Sequence, residues 1–438
     1  MLKTILLIII LTCSSFPASS GTTSVGITNP NSIIPLQPVG LPVLNIPYTD
    51  NAFNNTSIRR ISNYMETGDW GAHIYSQLQA FSPDNSHILL IENGSYIVKN
   101  RITLTTVLSL DSVIIAGNFD VNAPRWHPTM VNTIVTYDSN ADAIIRVVYI
   151  NVVTGVVTVQ FSFPSLYAGI LSNQSFDELS HDGKWMTGMA TTSDGDAIIF
   201  SLNLENDTLG AQLRLSELYS QNGGGTNFEP DWIGASPLGN YLAIQWVRDI
   251  PNARLSGLEI YSINNGQFIQ QINPLHDHGD FGLDNNGNEV FVSTILASPE
   301  DNNLPAIVSY GLPLRANDPQ LILTVPWETV WHVSCQGPNG QCVVTSGMTG
   351  ANFNKEVFIL WHDGSVRRLT HHRSSICGYW VQPRASISKD GHFIVFDSDF
   401  NDEAGGIDSC SVQGALGGGD VFMIELPAEN VIFINGFE

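Results

Sequence analysis

Short apolar runs separated by polar turns recur along this chain, and stretches of helical length with one apolar face are nearly absent. In several of the runs apolar and polar residues alternate, and Val, Ile and Phe are abundant, the pattern of half-buried strands. One unit repeats: an apolar strand, a polar turn, then a second strand. It reads AFSPDNSHILLIE at 80–92, RWHPTMVNTIVTY at 125–137, ELSHDGKWMTGMA at 178–190 and GASPLGNYLAIQW at 234–246. It continues as GLDNNGNEVFVST at 282–294, SCQGPNGQCVVTS at 334–346 and SISKDGHFIVFDS at 386–398. A third strand follows each unit, from SYIVKN at 95–100 to DVFMIEL at 420–426.

Aligned on Ser82, His127, Ser180, Ser236, Asp284, Gln336 and Ser388, the units lie 45 to 56 residues apart. Seven units at this spacing predict an all-β fold, a seven-bladed β-propeller of four-stranded antiparallel blades. VRRLT (366–370) precedes the seventh unit, where an outermost strand belongs, and IRRIS (58–62) holds the same place before the first. An N-terminal strand is therefore expected to complete the last blade, which removes two open sheet edges. The propeller is bounded at 56–428. Residues 21–55, rich in Pro, Ser, Asn and Thr, read as an irregular leader. Residues 429–438, ENVIFINGFE, form a C-terminal tail that is either a sorting signal or a final packed strand.

The S-x-D-G-type turns resemble those of the TolB-like periplasmic β-propellers, whose repeat has the form P-x-x-S-P-D-G; degenerate copies run through residues 75–426. The resemblance implies that the strand before each turn is innermost and faces a central channel. It also implies a non-catalytic role, as a scaffold for another envelope protein. Residues two apart on a strand share a face, so His278 pairs with Asp280 and Gln382 with Arg384. His332 belongs to the same tier, and Gln77, Arg125, Glu178 and Asp231 are candidates from the first four units.

Polar side chains in such a channel can simply tie blades together. Yet the last three units supply His276, His278, Asp280, His332, Gln382 and Arg384 in order. Imidazoles beside a carboxylate can bind a transition metal, zinc or manganese, here through His278, Asp280 and His332. The set also resembles the central sites of propeller-fold polysaccharide lyases, such as oligogalacturonate and ulvan lyases. Those enzymes remove the proton beside a uronate carboxyl group, which takes a base and positive charge for the developing enolate. The resemblance implies a catalytic set of His278, His332 and Arg384. Either imidazole is the base or a metal ligand, and Arg384 neutralises charge. Gln77, Arg125, Asp231 and Gln382 would bind the ligand, a carbohydrate or other small molecule, with Arg125 suited to bidentate grip on a carboxylate.

Charge narrows the partners. Asp and Glu number 41 against 18 Lys and Arg, a net charge of −23, and no basic cluster exists. Nucleic acid and anionic membranes are excluded as partners, and a monomer is expected. Lys3, the apolar run ILLIIIL (5–11) and the A-x-S site ASS (18–20) read as a signal peptide over 1–20, so the protein is expected to be exported, periplasmic or secreted. No later run is long enough to be transmembrane. Four cysteines then remain. Cys335 and Cys342 flank a hairpin-like turn and are expected to bond, which leaves Cys377 to Cys410.

Three further features are weaker. In DSDFNDEAGGID (397–408), Asp397, Asp399 and Asn401 are spaced like a calcium loop, but Asp402 stands where such a loop needs glycine, so a solvated turn competes. The histidines of THHR (370–373) are expected on a surface loop. Trp70, Trp126, Trp232, Trp331 and Trp380 are expected to pack between blades, with one or two free to stack on sugar rings.

Overall fold

The computed structural model describes residues 25–427, apart from 70, 115–123, 140–143, 176, 224–228, 276, 299–303, 327–331, 377 and 401–418. Seven antiparallel sheets follow one another along the chain. Blade 1 runs from Gly71 to Ser109, blade 2 from Arg125 to Ser162, blade 3 from Tyr167 to Arg214 and blade 4 from Pro230 to Asn273. Blade 5 runs from Gly279 to Thr324 and blade 6 from His332 to His371. Blade 7 takes three strands from Ser386–Glu425 and its fourth, Thr56–Arg60, from the N-terminal side, with Ile58 opposite Ile424 and Arg60 opposite Phe422. The ring is closed as the sequence predicts. Helices are confined to short pieces such as Tyr64–Thr67 and Leu215–Gln221, and none among the described residues is long and apolar enough to cross a membrane.

The repeat turns explain why the pattern is so regular. Ser82, Ser180 and Ser388 each donate to the carboxylate two residues on, at 2.6–2.7 Å, and accept the N–H five residues on, at 2.9–3.0 Å. Asp84, Asp182 and Asp390 in turn accept the backbone N–H two residues further along. The next residue turns left-handed, φ +76° at Gly183 and +75° at Gly391, which suits glycine. Asn85 takes that place in blade 1 at φ +56°. In blade 2 the ring of His127 replaces serine and accepts from Thr129 and Met130 N–H.

Apolar strand faces pack between blades. Ile58 of the closing strand joins a cluster with Ile359, Phe396 and Phe422, so closure is sealed by burial as well as by hydrogen bonds. The leader is more ordered than its composition suggests. Pro47–Asp50 adds a fifth strand to blade 7, and Ile27 bridges Arg368 on the outer strand of blade 6. Buried arginines then hold the leader by its carbonyls: Arg368 donates to Asn29 and Ser32, Arg373 to Gln37 and Arg60 to Pro42. Proline-rich backbone has spare carbonyls and few N–H groups, so cationic donors are its natural anchor.

Cys335 and Cys342 form a disulfide. Cys377, Cys410, the signal segment 1–20 and the tail 429–438 lie outside the described residues. Two expectations are corrected. His371 and His372 are buried, not on a surface loop: His372 is held by Ser346 O and Ser374 N–H, and His371 packs edge-on against Phe53 of the leader. Asp397 is fully buried in the blade 7 sheet and Asp399 accepts from Ser375, so these two carboxylates face protein donors and do not form a calcium loop; Asn401 lies outside the described residues.

Candidate functional site

Blade 1 sets the shape of the channel. Its inner strand stops at His73, and residues 74–79, IYSQLQ, leave the sheet and reach across the axis before Ala80 rejoins it by accepting Leu89 N–H. Gln77 Nε2 donates to Gly279 O of blade 5 at 2.9 Å, Gln79 N–H to the Glu178 carboxylate of blade 3, and Gln79 Nε2 to Ile387 O of blade 7. This floor divides the channel into two chambers. On the face away from the repeat turns lies a cup of about 370 Å³, walled by Tyr75, Gln77, Asp231, Trp232, Trp380 and Arg384. On the turn face lies a cavity of about 30 Å³, room for one water molecule, beside Trp126, Glu178, His181 and Lys389.

Arg384, Trp380 and Tyr75 of the cup wall belong to a connected set of side chains that continues behind it. Arg384 donates through Nη2 to Asp397 Oδ2 at 3.1 Å, with both residues fully buried. Asp397 Oδ1 accepts the N–H of His73 at 2.9 Å, which ties blade 7 to blade 1. The Arg384 guanidinium lies 5.2 Å from the Trp380 ring and 5.8 Å from that of Tyr75. Tyr75 meets His332 edge-on at 5.7 Å, and His332 lies 5.3 Å from the exposed His278. His278, His332 and Arg384 are thus brought together across blades 5, 6 and 7.

Electrostatics sorts these groups. Burial, reinforced by His278, Arg384 and His73, holds His332 well below the ordinary histidine range, so the ring is neutral near neutral pH. Its Nδ1 is buried with no hydrogen-bond partner among the described residues. Burial, with Arg384 nearby, pushes His73 down to about 3. It stands 3.7 Å from Asp397 as a neutral ring and forms no ion pair. Burial pushes Asp397 up to about 7, although Arg384 and the His73 N–H both oppose the shift.

Other expected site residues serve the fold. Arg125 is fully buried and donates to the carbonyls of Asp177 at 2.6 Å and Ser175 at 2.8 Å, in blade 3. It is therefore not a ligand-binding cation. Asp280 turns toward blade 6, accepting from Cys335 N–H at 2.6 Å and from Gln336 Nε2, and also accepts Phe281 N–H. Burial, then Asp177, raises its carboxyl well above the ordinary range. Gln382 does not share a strand face with Arg384: Arg384 N–H bonds Gln382 O in a tight turn, and the inner strand begins only at Ser386. Gln77 and Asp231 do line the cup. Tyr75 lines it as well, with His73 and Asp397 buried behind Arg384, and none of these three is expected there from the sequence. Tyr75 comes from the departure of 74–79 and Asp397 from a second strand, neither of which inner-strand alternation foretells.

Among the described residues no group of three or more His, Cys, Asp or Glu side chains could hold a metal ion. With the Asp280 carboxylate committed to N–H donors, His278 and His332 are left alone, and the set does not fit. His276 lies outside the described residues.

Fold and site together define a closed seven-bladed β-propeller with an aromatic-walled polar cup on its axis. No family model and no curated protein matches the sequence. In fold, the chain is similar to a solved oligogalacturonate lyase in complex with manganese, 12% identical, over 93% of this chain and 100% of that one, at a TM-score of 0.58. It is similar also to the oligogalacturonate lyase of Vibrio parahaemolyticus, 10% identical, over 88% and 97% of the two chains, at 0.57. TolB from Acinetobacter baumannii is 16% identical over 69% of this chain and 63% of its own, at 0.37. At such identities the likeness is one of fold.

Proposed function

We propose that the cup binds an acidic carbohydrate, and that the protein acts on it as an exported β-eliminating lyase. The observation that carries this reading is the convergence of Arg384 and two aromatic walls, Tyr75 and Trp380, in one chamber, with the ring of His332 buried against Tyr75. Aromatic faces stack on the apolar faces of sugar rings, and a guanidinium attracts a carboxylate. The resemblance in fold to oligogalacturonate lyases supports the same ligand class.

In β-elimination the proton beside the carboxyl group leaves first in charge terms, and negative charge builds on the carboxylate before the neighbouring C–O bond breaks. His332, neutral at working pH, takes that proton once Tyr75, which packs over the buried ring, gives way to the ligand. Arg384 faces the growing charge, and Asp397 fixes its orientation. The direct test is a panel of uronate-containing polysaccharides and their oligomers, read by the ultraviolet absorbance of the unsaturated product. Turnover on one member supports the reading. Neither turnover nor calorimetric binding across the panel overturns it.

A scaffold for an envelope protein is the second reading. It is favoured by the pairing of Arg384 with Asp397, which already offsets the charge of the cup's buried cation. Binding to the panel without turnover would retain the ligand site and leave the catalytic step unsupported.

A further inference from the structure

Among the described residues of the cup wall, the two charged side chains are Arg384 and Asp231. They come from opposite sides of the ring. Arg384 precedes the inner strand of blade 7, Ser386–Ile387, and Asp231 lies on the inner strand of blade 4, Pro230–Ala235. In a ring of seven, blade 7 stands across the axis from blades 3 and 4. Each end of the cup has its own aromatic wall, Trp380 by Arg384 and Trp232 next in sequence to Asp231. Ser172 and Asn173, just past the inner strand of blade 3, add a hydroxyl and an amide on the Asp231 side.

The two ends accept different groups. Arg384 already faces the buried Asp397, so the cup has no surplus of positive charge. Asp231 is exposed. A carboxylate brought to its end meets a like charge, whereas an ammonium group gains a charge-assisted hydrogen bond. The cup is small for a ligand pocket, about 370 Å³, and Gln77 helps to close it below, so a bound disaccharide spans both ends. A repulsive group in such a site discriminates by excluding the wrong ligand.

We propose that the cup selects a uronate joined to an amino sugar with a free amine, the carboxylate toward Arg384 and the ammonium group toward Asp231. This selectivity rests on the reading of the cup as an acidic-carbohydrate site and narrows it. A homopolymer of uronates, with a carboxylate on every ring, is disfavoured.

Calorimetry on the full chain at pH 7 tests this with three probes: a glucuronate–glucosamine disaccharide, its N-acetylated form, and digalacturonate. The free amine should bind at least about tenfold more tightly than either of the others. In Asp231→Asn the preference should shrink to less than about twofold, with digalacturonate gaining affinity. Digalacturonate binding as tight as the free amine's would overturn the proposal and leave the acidic-carbohydrate reading in place. So would a preference that survives in Asp231→Asn, or binding confined to other uronates. No binding of any acidic saccharide would overturn both.

Discussion

The two halves of the central channel are both polar, and both contain buried charge, yet their partners differ. On the turn side of the floor the polar groups reach backbone in another blade. Arg125 grips carbonyls of blade 3, Asp280 accepts an N–H from blade 6, and Glu178 accepts one from blade 1. On the cup side, Arg384, His332 and Tyr75 meet chiefly other side chains. Backbone partners cannot be released without breaking a strand end, so those groups act as ties between blades. Side-chain partners can exchange with a ligand at far lower cost. A polar channel lining is thus ambiguous until each group's partner is known.

The largest expected effect lies on the cup side. His332→Ala should lower turnover on the best substrate by about 10²–10⁴-fold, the usual range for a general base, and the cavity left by the buried ring should cost about 2–4 kcal/mol of unfolding free energy. Absorbance assays beside urea melts measure both. Retention of full turnover would remove His332 from the chemistry.

On the tie side only stability should suffer. Arg125→Met orphans two buried carbonyls and should cost roughly 2–6 kcal/mol of stability at about 1–3 kcal/mol for each unsatisfied group. The protein that remains folded should bind ligand as before. Asp280→Ala leaves the Cys335 N–H unpaired and should cost about 1–3 kcal/mol. Equal stability in urea melts would mean these residues are not ties.

Stability should also pass through a pH optimum. His73, His371 and His372 are depressed to about 3 and His181 to about 4, with His332 also low. Each binds a proton in the unfolded chain below about 6.5 but not in the folded one, so stability falls as pH drops from about 6.5 toward 3–4. Asp177, Glu178 and Asp397 are raised to about 8, 7 and 7. The folded state keeps their protons where the unfolded chain has lost them, so their contribution disappears as pH rises from about 4 through 8. The opposing slopes place the maximum near pH 6–6.5, which melting temperatures across pH 4–9 would reveal. A flat profile from pH 6 to 9 would contradict the burial of the carboxylates.

Much of the fold is written in the turns, because Ser82, Ser180 and Ser388 make the same local bonds wherever they occur. The closing strand is legible because the outer-strand strings of 58–62 and 366–370 are alike. The site was readable only in part. His332 and Arg384 were found from their place before the turn, although Arg384 sits in a loop and not on a strand. Arg125 and Asp280 look the same in sequence, but what each side chain grips depends on a neighbouring blade. Asp397 resembled a calcium-loop residue because its spacing is local, whereas its partners His73 and Arg384 are set by ring closure.

A crystal of the protein soaked with an unsaturated uronate oligosaccharide gives the most direct test of the division between cup and ties. Sugar density is expected over Trp380 and Tyr75 with a carboxylate facing Arg384, and no change around Arg125 or Asp280. Density in the turn-side cavity beside Trp126 and Lys389, with the cup empty, would contradict that division.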